Sequence, residues 1–142
     1  MANPSCFAFE LTNTSSELST LCEQLEGIGK MLQLSQRSIF EINLAMDEIF
    51  TNIISYGYTD QAEHRVQVCV SAEGDCLTVV VEDDGVPFNP AERLSPKVPD
   101  NVESCKIGGL GIHLVKNLVD DISYRRHDGK NILTLRKTVE TT

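Results

Sequence analysis

No stretch of these 142 residues is apolar for anything near the roughly 20 residues that a membrane-spanning helix needs. The first residues, MANPSCFAFELTN, lack the basic head and apolar body of a secretory signal, so a cytoplasmic location is expected. Basic runs are missing as well. Lys and Arg number 12 against 21 Asp and Glu, for a net charge of −9. That balance argues against direct nucleic-acid binding, which needs clustered cations. A nucleotide is not excluded, because backbone amides and Mg²⁺ can hold phosphates without a basic patch. The five cysteines are odd in number and form no CxxC pair, and only three histidines accompany them, so a zinc site is not expected. They read as reduced thiols serving as small packing residues. Repeats, low-complexity segments and linkers are also lacking, which leaves one domain over residues 1–142.

What is present is strong patterning. CFAFEL (6–11) alternates as a strand. A helix follows, capped by Thr14 or Ser15, with Leu18, Leu21, Cys22, Leu25, Ile28 and Leu32 at helical spacing. A second helix is predicted from about Ser38 to Tyr56. RVQVCVSA and CLTVVVED form a hairpin turned at EGD (73–75), and ISYRR and NILTLRK another turned at HDGK. Between the hairpins lie a short helix at FNPAERL (88–94), a proline-containing loop (95–109) and a helix at GIHLVKNLVDD (111–121). Hairpins with helices on one side predict an α+β fold, a two-layer α/β sandwich with a mostly antiparallel sheet.

Three constellations carry chemistry. Glu48 and Asn52 are one helical turn apart, so their side chains stack beside the apolar stripe; a carboxylate and an amide there suit a hydrated Mg²⁺, or an ordinary solvated helix face. The strand VVVEDDGVPF (79–88) ends in Glu82, Asp83 and Asp84. A carboxylate there can accept a hydrogen bond from an amino group, with Gly85 admitting a flat ring, or the segment is a plain turn. KIGGLGIHLV (106–115) places three glycines before a helix, suited to curling around an anion or to capping the helix. It lacks the Gly-Lys-Ser/Thr of a P-loop, and Leu114 stands where a dinucleotide fingerprint has its third glycine.

In this order, over roughly residues 35 to 137, the three boxes resemble the ATPase superfamily of histidine kinases, Hsp90, gyrase and MutL. DEIFTNIISYGY, DDGVPFNP and GGLGIHLV look most like its anti-sigma-factor serine/threonine kinases. The resemblance implies the Bergerat ATP-binding fold, with ATP and Mg²⁺ as cofactors. By it, Glu48 is the general base, Asn52 the Mg²⁺ ligand and Asp83 the acceptor for the adenine amine, with Gly85 beneath the ring. Gly108, Gly109 and Gly111, with the amides of Leu110 and Ile112, wrap the phosphates, and Lys106 is a further phosphate contact. Glu82 and Asp84 are expected to point away from Asp83.

The implied partners are a small antagonist protein carrying the phosphoacceptor Ser or Thr, a client such as a sigma factor, and in some relatives a second copy of the chain as a homodimer. Nucleic acid and membrane are not implied. A non-enzymatic, nucleotide-dependent protein-binding switch is the alternative. The chain departs from the wider superfamily at Tyr56, where many relatives have histidine, and at Pro87, in place of a glycine. GKNILTL (129–135) is the only candidate for a last glycine box.

Overall fold

Alternation of apolar and polar side chains builds most of the molecule, seen in a computed structural model that describes residues 5–89 and 115–141. β1 (Ser5–Thr12), β2 (Arg65–Glu73), β3 (Cys76–Asp83), β4 (Asp121–His127) and β5 (Lys130–Thr138) form one sheet in the order β1-β2-β3-β5-β4. Every neighbouring pair is antiparallel. The register sets Val68 opposite Val81 and Val70 opposite Val79. Those two β3 valines in turn face Leu133 and Leu135 of β5. Because side chains alternate between faces, these residues share one side of the sheet and are buried together. Asp128 and Gly129 both adopt positive φ, 51° and 75°, as a tight two-residue hairpin turn requires.

The helices α1 (Leu18–Met31) and α2 (Gln36–Tyr56) supply the covering layer. Leu21, Leu25 and Ile28 of α1 join Ile42, Met46, Ile49, Phe50 and Ile53 of α2 in the core. Gly29 allows the two helices to approach closely, since a Cβ there would lie 2.5 Å from Ile39 Cγ1. The result is the expected two-layer α+β sandwich with helices on one face.

Two readings need correction. Thr14 and Ser15 do not cap α1. A 3₁₀ turn at Ser15–Glu17 intervenes, and Glu17 at the cap position makes no side-chain cap bond. Nearby hydroxyls bond each other instead, with Thr14 and Ser16 oxygens 3.0 Å apart and Thr12 donating to Glu17 at 3.2 Å. The second helix does have a built cap, Ser35, whose Oγ accepts from Ser38 N at 3.1 Å. Nor are the four described cysteines core packers: Cys6 is exposed, and Cys22, Cys69 and Cys76 are half-buried.

Helical backbone is seen at 115–118, inside the predicted 111–121 helix. The short helix predicted at 88–94 and the 95–109 loop lie almost wholly outside the described residues, as does the KIGGLGIHL segment. No helix among the described residues is long and apolar enough to cross a membrane.

Candidate functional site

On α2 the 3.6-residue period places Asn52 within the buried stripe and Glu48 one turn before it, half-buried. Asn52 is only 2% exposed, yet its Nδ2 has no hydrogen-bond partner among the described residues. Leaving a buried polar group unmatched costs about 1–3 kcal/mol, which singles this amide out among the described residues.

The end of β3 supplies the second group. Asp83 is in phase with Val79 and Val81, so it turns toward the helices and is 6% exposed. Glu82, on the opposite face, pairs with Lys130 at 3.8 Å, and Asp84 is exposed. Asp83 Oδ1 accepts from Gly85 N at 2.8 Å and from Asn131 Nδ2 at 2.9 Å. Both bonds fall on one oxygen, and Oδ2 has no partner among the described residues. Burial raises the Asp83 pKa above the ordinary carboxylate value, while the bonds from Asn131 and Gly85 act in the opposite direction.

A backbone hook ties the end of α2 to the loop after β3. The carbonyl of Gly57, just past α2, accepts from Val86 N at 2.8 Å. A Cβ on Gly85 would collide with that same carbonyl oxygen, so glycine is required here by the helix end, whatever else it admits. Tyr56 stacks on Phe88 with ring centres 5.9 Å apart, clamping the same corner.

Two groups escaped the sequence reading. Asn131 is a hub: its Nδ2 donates to Asp83 and to Val86 O at 2.8 Å, and its Oδ1 accepts from Phe88 N, Tyr124 OH and Arg126. It therefore holds both Asp83 and the loop behind it. Its signal was present, an asparagine in step with the core residues Leu133 and Leu135 in NILTL. The other group lies around His64, whose Nε2 is 2.8 Å from Asp60 Oδ1 and whose Nδ1 is 3.2 Å from Asp84 Oδ1. Tyr58 stacks on the His64 ring and donates to Asp84 at 3.3 Å, and burial raises the tyrosine's pKa.

Lys106, Gly108, Gly109, Leu110, Gly111 and Ile112 fall outside the described residues. No cluster of three His, Cys, Asp or Glu capable of holding a metal exists among the described residues. Among the described residues, the Asn52 amide could hold a divalent cation together with ligand phosphates, since a half-turn of its side chain exchanges oxygen for nitrogen. An apolar groove of about 520 Å³ lined by Leu18, Leu21, Ile39, Phe40 and Leu44 contains none of Glu48, Asn52 or Asp83 and is a separate feature.

The chain is 28% identical over 126 residues to the serine/threonine-protein kinase BtrW of Bordetella bronchiseptica, covering 89% of each protein. It is 26% identical over 112 residues to the serine-protein kinase RsbW of Bacillus subtilis, covering 76% of this chain and 70% of the relative. The solved RsbU and RsbW domains of a Mycobacterium tuberculosis protein superpose on 95% of this chain with a TM-score of 0.64 at 18% identity. This likeness shows a shared fold, and the chain spans about a third (32%) of that longer one. The histidine kinase-like ATPase domain profile matches residues 11–137, most of the chain. The protein belongs to the histidine kinase-like ATPase domain family and has the fold of its RsbW-type members.

Proposed function

We propose that this chain is an ATP-binding serine/threonine protein kinase of the anti-sigma-factor type, acting as a single domain in the cytoplasm. The observation that carries the reading is Asp83: a buried carboxylate with one oxygen locked by Asn131 and Gly85 and the other left to accept. The exocyclic amine of adenine is the donor that matches it, with Gly85 at the edge of the ring. Asn52 would hold Mg²⁺, which when bound offsets phosphate charge. Gly108, Gly109 and Gly111, with the amides of Leu110 and Ile112 and with Lys106, would receive the phosphates.

Glu48, one turn from Asn52, would accept the proton of a Ser or Thr hydroxyl on a small antagonist protein. The freed oxygen attacks the γ-phosphorus and ADP leaves with the electron pair of the broken bond. The phosphorylated antagonist is released, and the kinase is then free to hold its client, a sigma factor. The relatives named as serine and serine/threonine kinases support this class of activity.

The test is transfer of labelled γ-phosphate to a candidate antagonist, with bound nucleotide measured in parallel. Glu48→Gln should bind ATP nearly as wild type does and lose about 10²–10⁴-fold in transfer. Wild-type protein that binds ATP and transfers nothing would replace this reading with that of a nucleotide-dependent binding switch. An unimpaired Glu48→Gln variant would place the base elsewhere.

A further inference from the structure

The face of the sheet turned away from the helices carries a pair of cysteines that the nucleotide chemistry does not use. Cys6 on edge strand β1 and Cys69 on β2 are 63 residues apart in sequence, and their sulfur atoms lie 3.2 Å apart. The register explains the meeting. Cys6 is opposite Ser71 and Ala8 is opposite Cys69, so the two thiols are diagonal neighbours on one face, and their side chains lean toward each other to bring the sulfurs into contact. Cys6 is exposed and Cys69 half-buried, beside a depression of about 370 Å³ that also touches Ala8, Gln67 and Val80.

We propose that Cys6 and Cys69 form an oxidisable dithiol site that takes a low-molecular-weight disulfide as oxidant and closes to a reversible intramolecular disulfide. The exposed Cys6 meets the reagent first. Its thiolate attacks one sulfur of the small disulfide, forming a mixed disulfide and expelling one small thiolate. Cys69 then loses its proton and attacks the Cys6 sulfur, expelling the second. Two protein thiols give up two protons and two electrons, and one small disulfide becomes two small thiols. The hydrogen bond shared with Cys6, followed by burial, raises the Cys69 pKa, so Cys69 keeps its proton until the second step.

A diagonal pair on an edge strand needs a small shift of β1 along β2, and strained or exposed disulfides are the readily reduced ones. The bond is therefore expected to open again under mild reductant. While closed it ties the edge strand to its neighbour.

The probe is oxidised glutathione, applied to the whole chain and followed by intact mass and peptide mapping. Wild-type protein should lose two thiols and about 2 Da, with peptides around positions 6 and 69 cross-linked and dithiothreitol restoring both. A variant with Cys22, Cys76 and Cys105 changed to Ser should still close, and Cys69→Ser should stop at a glutathione adduct on Cys6. The closed wild-type form should also melt at a higher temperature than the reduced one. A stable glutathione adduct in wild-type protein, a bond from Cys6 to a second chain, or no loss of thiols would each overturn the proposal. None of these readouts depends on nucleotide or kinase activity.

Discussion

The two faces of the sheet treat polar side chains in opposite ways. On the helix-covered face, Asp83 and Asn131 stand at the ends of lines of valine and leucine and are almost wholly buried. Asn131 meets its bonding needs within the protein, and Asp83 keeps one oxygen available. On the open face, Glu82, Lys130, Thr134 and the cysteine pair are exposed or half-buried, and ion pairs there range from 2.7 Å for Arg65 with Glu10 to 3.8 Å for Lys130 with Glu82. An exposed pair of that kind contributes about 0–1 kcal/mol. The difference teaches that a polar residue on the covered face must be matched by a partner or a ligand, so the covered face is where an open acceptor carries functional meaning.

The largest expected contrast is in the core. Leu135→Ala, on the covered face at 1% exposure, should destabilise by about 2–5 kcal/mol, while its open-face neighbour Thr134→Ala should cost under about 1 kcal/mol in urea unfolding. Equal costs would remove the distinction between the faces.

Next comes binding. Asp83→Asn should weaken ATP by about ten- to a hundred-fold, equivalent to about 1.5–3 kcal/mol, whereas Glu82→Gln one residue away should leave calorimetric affinity within about twofold. Because burial raises the Asp83 pKa and the amine needs the ionised form, wild-type affinity should fall on acidification earlier than an ordinary carboxylate would dictate. That component should vanish in Asp83→Asn. Matching pH profiles for the two proteins would contradict the assignment.

Asn131→Leu probes the hub. It removes both donors and the acceptor that bind Asp83, Val86, Phe88 and Tyr124, so a stability loss of about 1–3 kcal/mol should accompany weaker nucleotide binding. A variant that unfolds as wild type does, with unchanged affinity, would show that Asp83 is held by other means.

The smallest effect belongs to the exposed corner. Hydrogen bonds to Asp60, then to Asp84, raise the His64 pKa against the opposing effect of burial. A group whose folded pKa exceeds its unfolded one stabilises fully below the unfolded value, about 6.5, and loses that contribution as pH rises through the folded value. Melting temperature should therefore decline slightly through this range, and His64→Gln should flatten the decline. An identical slope in both proteins would dissociate His64 from it.

The sequence alone determined the periods, and with them the faces: helical spacing from Leu18 and from Ile42, alternation in three of the five strands, the Asp128-Gly129 turn, and Asp83 in step with Val79 and Val81. These are local properties, set by backbone geometry within a few residues. Tertiary structure decided which groups meet. Gly85 faces the Gly57 carbonyl across 28 residues, Asn131 reaches Asp83 across 48, and Cys6 reaches Cys69 across 63. Periodicity assigns a side chain to a face, but its partner follows from strand register and from how helix and sheet layers settle together, which depend on every pairing at once. The start of α1 was lost for a related reason, since Thr14 and Ser16 found each other before they found the helix.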